Sequence, residues 1–257
     1  MNAMLQETKS AALAPDAAWR ALHDAATAPY KQAGSFAWHF SRGKLGRDPV
    51  FRGLIERGLI GAQRGRVLDI GCGQGLFASL LDTMAAMQRS GQWPAVWAGT
   101  PAAAQYTGIE LMPRDIARAE QSIGHLSPRP AFVCADMCSA VLPASDLVVI
   151  LDVLHYVDLA AQEAVLARVR DALQPDGRLL LRVGDAASRR GFAVSQWVDR
   201  TVTRIRGHKV SPTWGRPLAD WVALLQRLGF ASVQSVPMSE GTPFANVLLV
   251  SDLRARP

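Results

Sequence analysis

The sequence predicts an α/β protein, a largely parallel sheet with helices on both faces, and three observations carry that expectation. The run Arg66 to Phe77 reads as a buried strand (Val67, Leu68 and Ile70, interrupted by Asp69), a turn with glycine at alternate positions (Gly71, Gly73, Gly75) and the start of a helix. The same strand-then-helix alternation repeats downstream, with strands expected at Tyr106 to Glu110, Pro130 to Met137, Asp146 to Asp152 and Arg178 to Val183, and such crossovers build parallel sheets. The chain then closes on two strands, Ala231 to Met238 and Asn246 to Ser251, with only a short link, as an antiparallel pair would.

The glycine turn has no side-chain wall, so a ligand can lie on its backbone and on the N-terminus of the next helix. A dinucleotide fingerprint would place its third small residue at Leu76, whereas here it falls at Gly75, which disfavours pyrophosphate. Asp69 points the same way, because a carboxylate beside the turn repels phosphate and suits an ammonium group. S-adenosylmethionine carries an ammonium and a sulfonium and no phosphate. The run Val67 to Gly75 resembles motif I of the class I S-adenosylmethionine-dependent methyltransferases, and the resemblance extends from Arg66 to Asp252. It implies a Rossmann-like seven-stranded sheet and S-adenosylmethionine as cofactor, with S-adenosylhomocysteine as product. It also implies cofactor contacts from Asp69, Gly71, Cys72, Gly73 and Gly75.

At 257 residues and 49% hydrophobic composition, the chain is long enough for one sizeable core with additions. The expected division is a disordered tail at 1–15, an N-terminal helical cap or lid at 16–60, and the methyltransferase domain at 61–257, with an acceptor-side insertion at 187–216. No apolar run approaches the ~20 residues that span a bilayer, and no signal-peptide pattern opens the chain, so a cytoplasmic protein without membrane contact is expected. Cys72, Cys134 and Cys138 lack zinc-ribbon spacing and are expected to be reduced core thiols, with no metal. The net charge of +6 suggests an acidic partner or substrate.

In chain order, Asp16 is expected to cap a helix to Thr27, with Trp19, Leu22 and Ala26 on one face and Pro29 ending it. The segment Tyr30 to Gly46 is aromatic and basic, with Phe36, His39, Phe40 and Gly43 at helical spacing. These aromatics either pack on the core or cover the acceptor pocket; members of the family commonly close the site with N-terminal helices, which makes Tyr30, Phe36 and His39 lid candidates. Asp48 and Pro49 are cap and first position of a helix ending at Gly58. The helix after the glycine turn holds Phe77, Leu80, Leu81 and Met84 on one face. Gly91 to Gln105 is expected to be a surface loop, in which Trp93 and Trp97 either anchor it or touch a neighbouring molecule.

Glu110 ends the second strand, opposite the glycine turn, where a carboxylate can accept hydrogen bonds from both ribose hydroxyls. The resemblance gives it that role, with Leu111 and Met112 against the adenine. It also implies that Asp136 accepts from the adenine amino group and that Met137 supplies a backbone donor and an apolar wall; the alternative for Asp136 is a cap on the turn that follows. Leu151 to Tyr156 resembles motif IV. Leu151 and Asp152 are counted with the cofactor residues, and Asp152, His155 and Tyr156 are candidates for touching the acceptor or the methionine moiety, since open α/β sheets bind ligands at the carboxyl ends of their strands. His155 and Tyr156 are the catalytic candidates: His155 either takes a proton from an acceptor hydroxyl or only ties a loop.

Asp158 is expected to cap a helix with Leu159, Val165, Leu166, Val169 and Leu173 inward, Pro175 to Gly177 to turn the chain, and Gly229 to close a helix begun at Pro217. Residues 187–216 hold Arg189, Arg190, Arg200, Arg204, Arg206, Lys209 and Arg216 against Asp199. This is either a solvated face or a docking surface for something acidic: an acyl carrier protein, a phosphorylated metabolite or RNA. Phe192, Trp197, His208 and Trp214 are candidates to line the acceptor pocket.

The expected reaction is in-line methyl transfer to oxygen, nitrogen or activated carbon, in which alignment does much of the work. The expected acceptor is a small organic molecule, aromatic by preference, in bacterial secondary metabolism. Ala37 to Phe51 also resembles methyltransferases of aryl polyene and related pigment pathways, which implies an aromatic head group, free or carried by an acyl carrier protein docked at Arg200 and Arg204. The lack of an RNA-binding module or an Asn-Pro-Pro-Tyr-like motif disfavours RNA, and intact Gly71, Gly73, Gly75, Glu110 and Asp136 argue against a catalytically silent binding partner.

Overall fold

A computed structural model describes residues 12–101, 104–187, 213–241 and 245–253. Among them seven strands form one sheet: β1 (Arg66–Ile70), β2 (Gln105–Glu110), β3 (Ala131–Cys134), β4 (Ser145–Leu151), β5 (Leu173–Gly184), β6 (Phe230–Pro237) and β7 (Asn246–Leu253), in the order β3-β2-β1-β4-β5-β7-β6. The first five are parallel, and β7 runs antiparallel to both β5 and β6. The order reverses at β1, which pairs Ile70 with Ile109 on one side and Ile150 on the other. A crevice therefore opens outside the carboxyl ends of β1 and β4, the position where open α/β sheets take ligands.

The period of two along a strand builds two cores. Val67, Leu147, Val149 and Leu180 face one side, where α1 (Pro15–Thr27), α2 (Ser35–Arg47), α3 (Pro49–Glu56) and α4 (Leu76–Arg89) pack. Leu68, Ile70, Val148, Ile150, Leu179 and Leu181 face the other, under α6 (Leu159–Ala172) and α7 (Leu218–Arg227). The remaining helix, α5 (Pro113–Ile123), follows β2. The N-terminal helices are thus part of the core: α1 buries Ala18, Leu22 and Ala26, and α2 buries Ala37, Ser41 and Leu45, each set spaced by one turn.

Several local expectations are corrected. Asp16 does not cap α1, which starts at Pro15, with Ala14 in the cap position, because Pro15 presets the first helical turn; Asp16 sits in that turn and pairs with Arg52 at 2.6 Å. Pro175 to Gly177 do not separate helix from strand. Strand β5 already begins at Leu173, pairs with Ser145, and bulges before Arg178 meets Leu147, with Asp176 at φ 61°. Leu159 is exposed, and the inward place at the start of α6 belongs to Gln162. Cys134 and Cys138 are exposed thiols and only Cys72 is buried, because β3 lies at the sheet's edge.

The two expected helix caps and the anchoring of the tryptophan loop hold. Asp48 caps α3, accepting from the Val50 N–H at 3.1 Å, and Asp158 caps α6, accepting from the Ala161 N–H at 2.8 Å. Trp97 is buried edge-on to Trp93 and anchors its loop. Among the described residues, no helix is long and apolar enough to cross a membrane.

Candidate functional site

Strand β1 ends against β2, where the Ile109 carbonyl accepts from the N–H groups of both Gly71 (2.8 Å) and Cys72 (3.1 Å). The chain turns away sharply, with φ of 78°, 55° and 72° at Gly71, Gly73 and Gly75, a region that a β-carbon disfavours. Space around the three differs. A Cβ on Gly71 would stand 2.4 Å from Val153, and one on Gly75 would stand 2.8 Å from Phe132, but one on Gly73 would meet nothing within 4 Å. The outer glycines let the turn nest against its neighbours, and the middle one leaves bare backbone facing open space.

Glu110 borders that gap. One carboxylate oxygen accepts from the Gly73 N–H and the other from the Met112 N–H, both at 3.0 Å, and each oxygen keeps a lone pair. Next to it Leu111 is 61% exposed. Asp136 accepts from the Cys138 N–H at 2.8 Å, so it does cap its turn, while its side chain stays on the surface; the Met137 carbonyl accepts from Arg168 at 2.9 Å.

Asp69 lies on the interior side of the turn. It is 5% exposed and accepts from the Tyr106 hydroxyl at 2.6 Å. Burial pushes its carboxyl up to about 7, with the Glu110 charge acting in the same direction and the Tyr106 bond against it. Cys72 fits because Gly108 has no side chain: a Cβ there would stand 2.6 Å from its Sγ. Tyr30 is fully buried, and its hydroxyl donates to the Gln74 carbonyl at 3.0 Å, which fastens the N-terminal helices to the turn.

At the ends of β4 and β5 stands an ion-pair cluster. Arg182, 1% exposed, donates from Nε to Asp152 Oδ1 at 2.8 Å and from Nη2 to Asp48 Oδ2 at 2.6 Å, with further contacts to the second oxygen of each. Lys44 adds a second cation, 2.7 Å from Asp48 and 3.5 Å from Asp152. Burial alone would raise both carboxyls, but these two cations hold them below the usual carboxylate range. Asp152 carries this load at φ 60°, a conformation uncommon for a residue with a side chain.

Leu151 is partly exposed just before it. His155 and Tyr156 follow on a one-turn helix (Leu154–Tyr156), their rings 4.1 Å apart. The Trp214 N–H donates to the His155 carbonyl at 2.8 Å, and the Trp214 side chain is 40% exposed.

Helix α2 bridges the crevice. Its buried stripe leaves Phe36, Phe40 and Lys44 on a neighbouring one. Phe36 meets the Arg118 guanidinium of α5 at 4.4 Å, and Lys44 meets Asp152 beyond β4, so Phe40 lies between these two contacts on the helix. Phe36 is 49% exposed and stacks on Phe40 at 6.1 Å, while His39 is exposed beside Trp38. Trp197, Arg200 and Arg204 lie outside the described residues, as do Phe192, His208 and most of the basic stretch. Among the described residues, no group of three His, Cys, Asp or Glu side chains could hold a metal ion.

Sequence reasoning missed Arg182, Lys44 and Gln162. Each left a faint signal: a charge inside the apolar run Leu179 to Val183, a cation on the aromatic stripe of α2, and an amide on the apolar face of α6.

The profile of the methyltransferase domain family matches residues 38–235, so the chain belongs to that family. With the seven-stranded order and the glycine turn, this makes it a class I S-adenosylmethionine-dependent methyltransferase. Solved structures of the same fold include the S-adenosylmethionine-dependent methyltransferase SibL, at 18% identity over 94% of this chain and 69% of that one, TM-score 0.58. Magnesium protoporphyrin IX methyltransferase from Synechocystis matches at 19% identity over 93% and 94%, TM-score 0.53. The N-methyltransferase NodS from Bradyrhizobium japonicum matches at 17% over 92% and 98%, TM-score 0.53. No curated protein sequence matches the chain.

Proposed function

We propose that the chain binds S-adenosylmethionine on the glycine turn and methylates a small aromatic acceptor that enters between α2 and the turn carrying His155 and Tyr156. The observation that carries this reading is the bare backbone at Gly73, open for 4 Å, beside a carboxylate whose oxygens each keep a lone pair. Glu110 would take the ribose hydroxyls, Leu111 and Met112 one face of the adenine, and Asp136 and Met137 its edge. Leu151 and Asp152 border the methionine end. Asp69 and Cys72 would act from inside the turn, fixing its shape.

S-adenosylmethionine supplies the methyl group from its sulfonium. The chain's own work is alignment and exclusion of water: Phe36 and Phe40 offer flat walls across the crevice, with His39 and Trp214 at its rim, and His155 takes the proton of a hydroxyl acceptor. In this reading residues 16–60 are a cap, 61–257 are the catalytic domain, and the segment within 187–216 lies on the acceptor side. A role in bacterial secondary metabolism is part of the proposal. The magnesium protoporphyrin IX methyltransferase, a relative in fold, acts on an organic small molecule, which supports this acceptor class.

The test is transfer of radiolabelled methyl from S-adenosylmethionine into heat-treated source-cell extract, fractionated into solvent-soluble, hydroxylamine-releasable protein-bound and RNA pools. Label in the solvent-soluble pool is expected. Label released by hydroxylamine would replace the free acceptor with one on an acyl carrier protein and give Arg200 and Arg204 a docking role. Label in RNA would overturn the small-molecule reading.

A further inference from the structure

We propose that Gln162 is the positioning residue of the acceptor side: one buried amide joins the turn carrying His155 and Tyr156 to the segment that returns at Trp214. This rests on the reading of that turn as the acceptor contact. Gln162 is 0% exposed on the first turns of α6. Its Nε2, with two N–H bonds, lies within hydrogen-bond reach of three carbonyls, those of Leu154 (3.2 Å), Val157 (3.1 Å) and Trp214 (3.1 Å), so that one N–H is shared between two of them, and its Oε1 accepts from Arg216 Nε at 2.9 Å. Two of those carbonyls flank His155 and Tyr156. The other two partners belong to the segment on the far side of residues 188–212.

The arrangement needs an amide. A carboxamide is a double donor at one end and an acceptor at the other, and no other side chain of that length is both while uncharged. Helix α6 needs no help from it, because Asp158 already caps the first turn. The Trp214 N–H, donating to the His155 carbonyl, closes the link from the opposite side. The Arg216 side chain then fixes the return to α6 through the Leu159 carbonyl (2.6 Å) and Glu163 (3.0 Å), while its backbone forms a parallel bridge with Asp185 just past β5, its carbonyl accepting from the Ala186 N–H at 3.1 Å. The chain thus leaves and re-enters at one place, and Gln162 sits between that place and the turn. A shift of the returning segment must move the His155 carbonyl or break these bonds.

The test uses the full chain with Gln162→Met, which keeps length and neutrality but cannot donate, and Gln162→Glu, which keeps the acceptor for Arg216 and loses the donor. Hydrogen exchange read by mass spectrometry is expected to quicken roughly tenfold or more in peptides covering both 153–158 and 213–218, with β1 and α4 unchanged. The rate of labelled methyl transfer from S-adenosylmethionine into the heat-treated extract falls roughly tenfold or more at unchanged KM for S-adenosylmethionine. Should Gln162→Met fail to fold, Gln162→Glu carries the comparison. Wild-type exchange in both peptides, or a response confined to 153–158, would overturn the coupling, as would a KM that rises while the rate falls. A wild-type chain that transfers no methyl would sink the functional reading and leave the exchange result to decide the coupling.

Discussion

Asp48, which begins α3, and Arg182, near the end of β5, lie 134 residues apart and share a two-pronged ion pair. The same guanidinium holds Asp152 beyond β4, so one buried cation ties the N-terminal helices to the edge of the crevice. Since Val153 touches the place where a Gly71 side chain would stand, the strained backbone at Asp152 leads directly to the glycine turn.

Replacing Arg182 by Met leaves two enclosed carboxylates with only Lys44 between them. A cost of about 3–5 kcal/mol is expected, the range for breaking a buried pair from one side, measured as a shift in urea unfolding. The sign of the pH dependence follows from the lowered carboxyls of Asp48 and Asp152. Their stabilisation is present above the usual carboxylate range and is lost as pH falls through it and below. Arg182→Met should therefore lose less stability on acidification than the wild type does.

Asp69 behaves in the opposite way. Burial lifts its carboxyl from 3.8 to about 7, so the folded chain keeps a proton that the unfolded chain has released. Its stabilisation is complete below 3.8 and is lost as pH rises towards 7. Asp69→Asn, which still accepts from Tyr106, should match the wild type near about pH 4 and melt higher at about pH 8. Equal melting points at the higher pH would contradict this.

The three glycines should separate by experiment. Gly73→Ala puts its methyl into open space, so it costs about 1–2 kcal/mol for the left-handed backbone and blocks the cofactor's path. Gly71→Ala must also displace Val153, and Gly75→Ala must displace Phe132. Thermal melting with S-adenosylhomocysteine added is the readout. Gly73→Ala should melt a few degrees below the wild type and gain nothing from the ligand, whereas Gly71→Ala and Gly75→Ala melt lower still, even without it.

The legible parts of this protein were those whose demands are local. A run of left-handed turn residues favours glycine, a buried parallel strand favours an apolar run, and an amphipathic helix shows its spacing, so β1, its turn, α4 and the position of Glu110 could be read from Arg66 to Glu110. What depends on strand order was not legible. Cys134 and Cys138 are exposed only because β3 is an edge, and Asp48 reads as a helix cap until β5 brings Arg182 beside it. Tyr30 reads as a lid residue from its aromatic neighbours, yet its hydroxyl bonds Gln74 from within the core. Which aromatics of α2 face outward is set by the packing of Ala37, Ser41 and Leu45, a choice the aromatic spacing alone leaves open.

The central claim is that the gap between Gly73 and Glu110 holds S-adenosylmethionine. Calorimetric titration of S-adenosylmethionine into the wild type and into Glu110→Ala tests it most directly. Binding in the range of about 1 μM to 1 mM is expected for the wild type, and a roughly tenfold or greater loss for Glu110→Ala, which loses its bonds to the Gly73 and Met112 N–H groups and melts lower but stays folded at the titration temperature. No binding by the wild type, or equal affinity in the two, would contradict it.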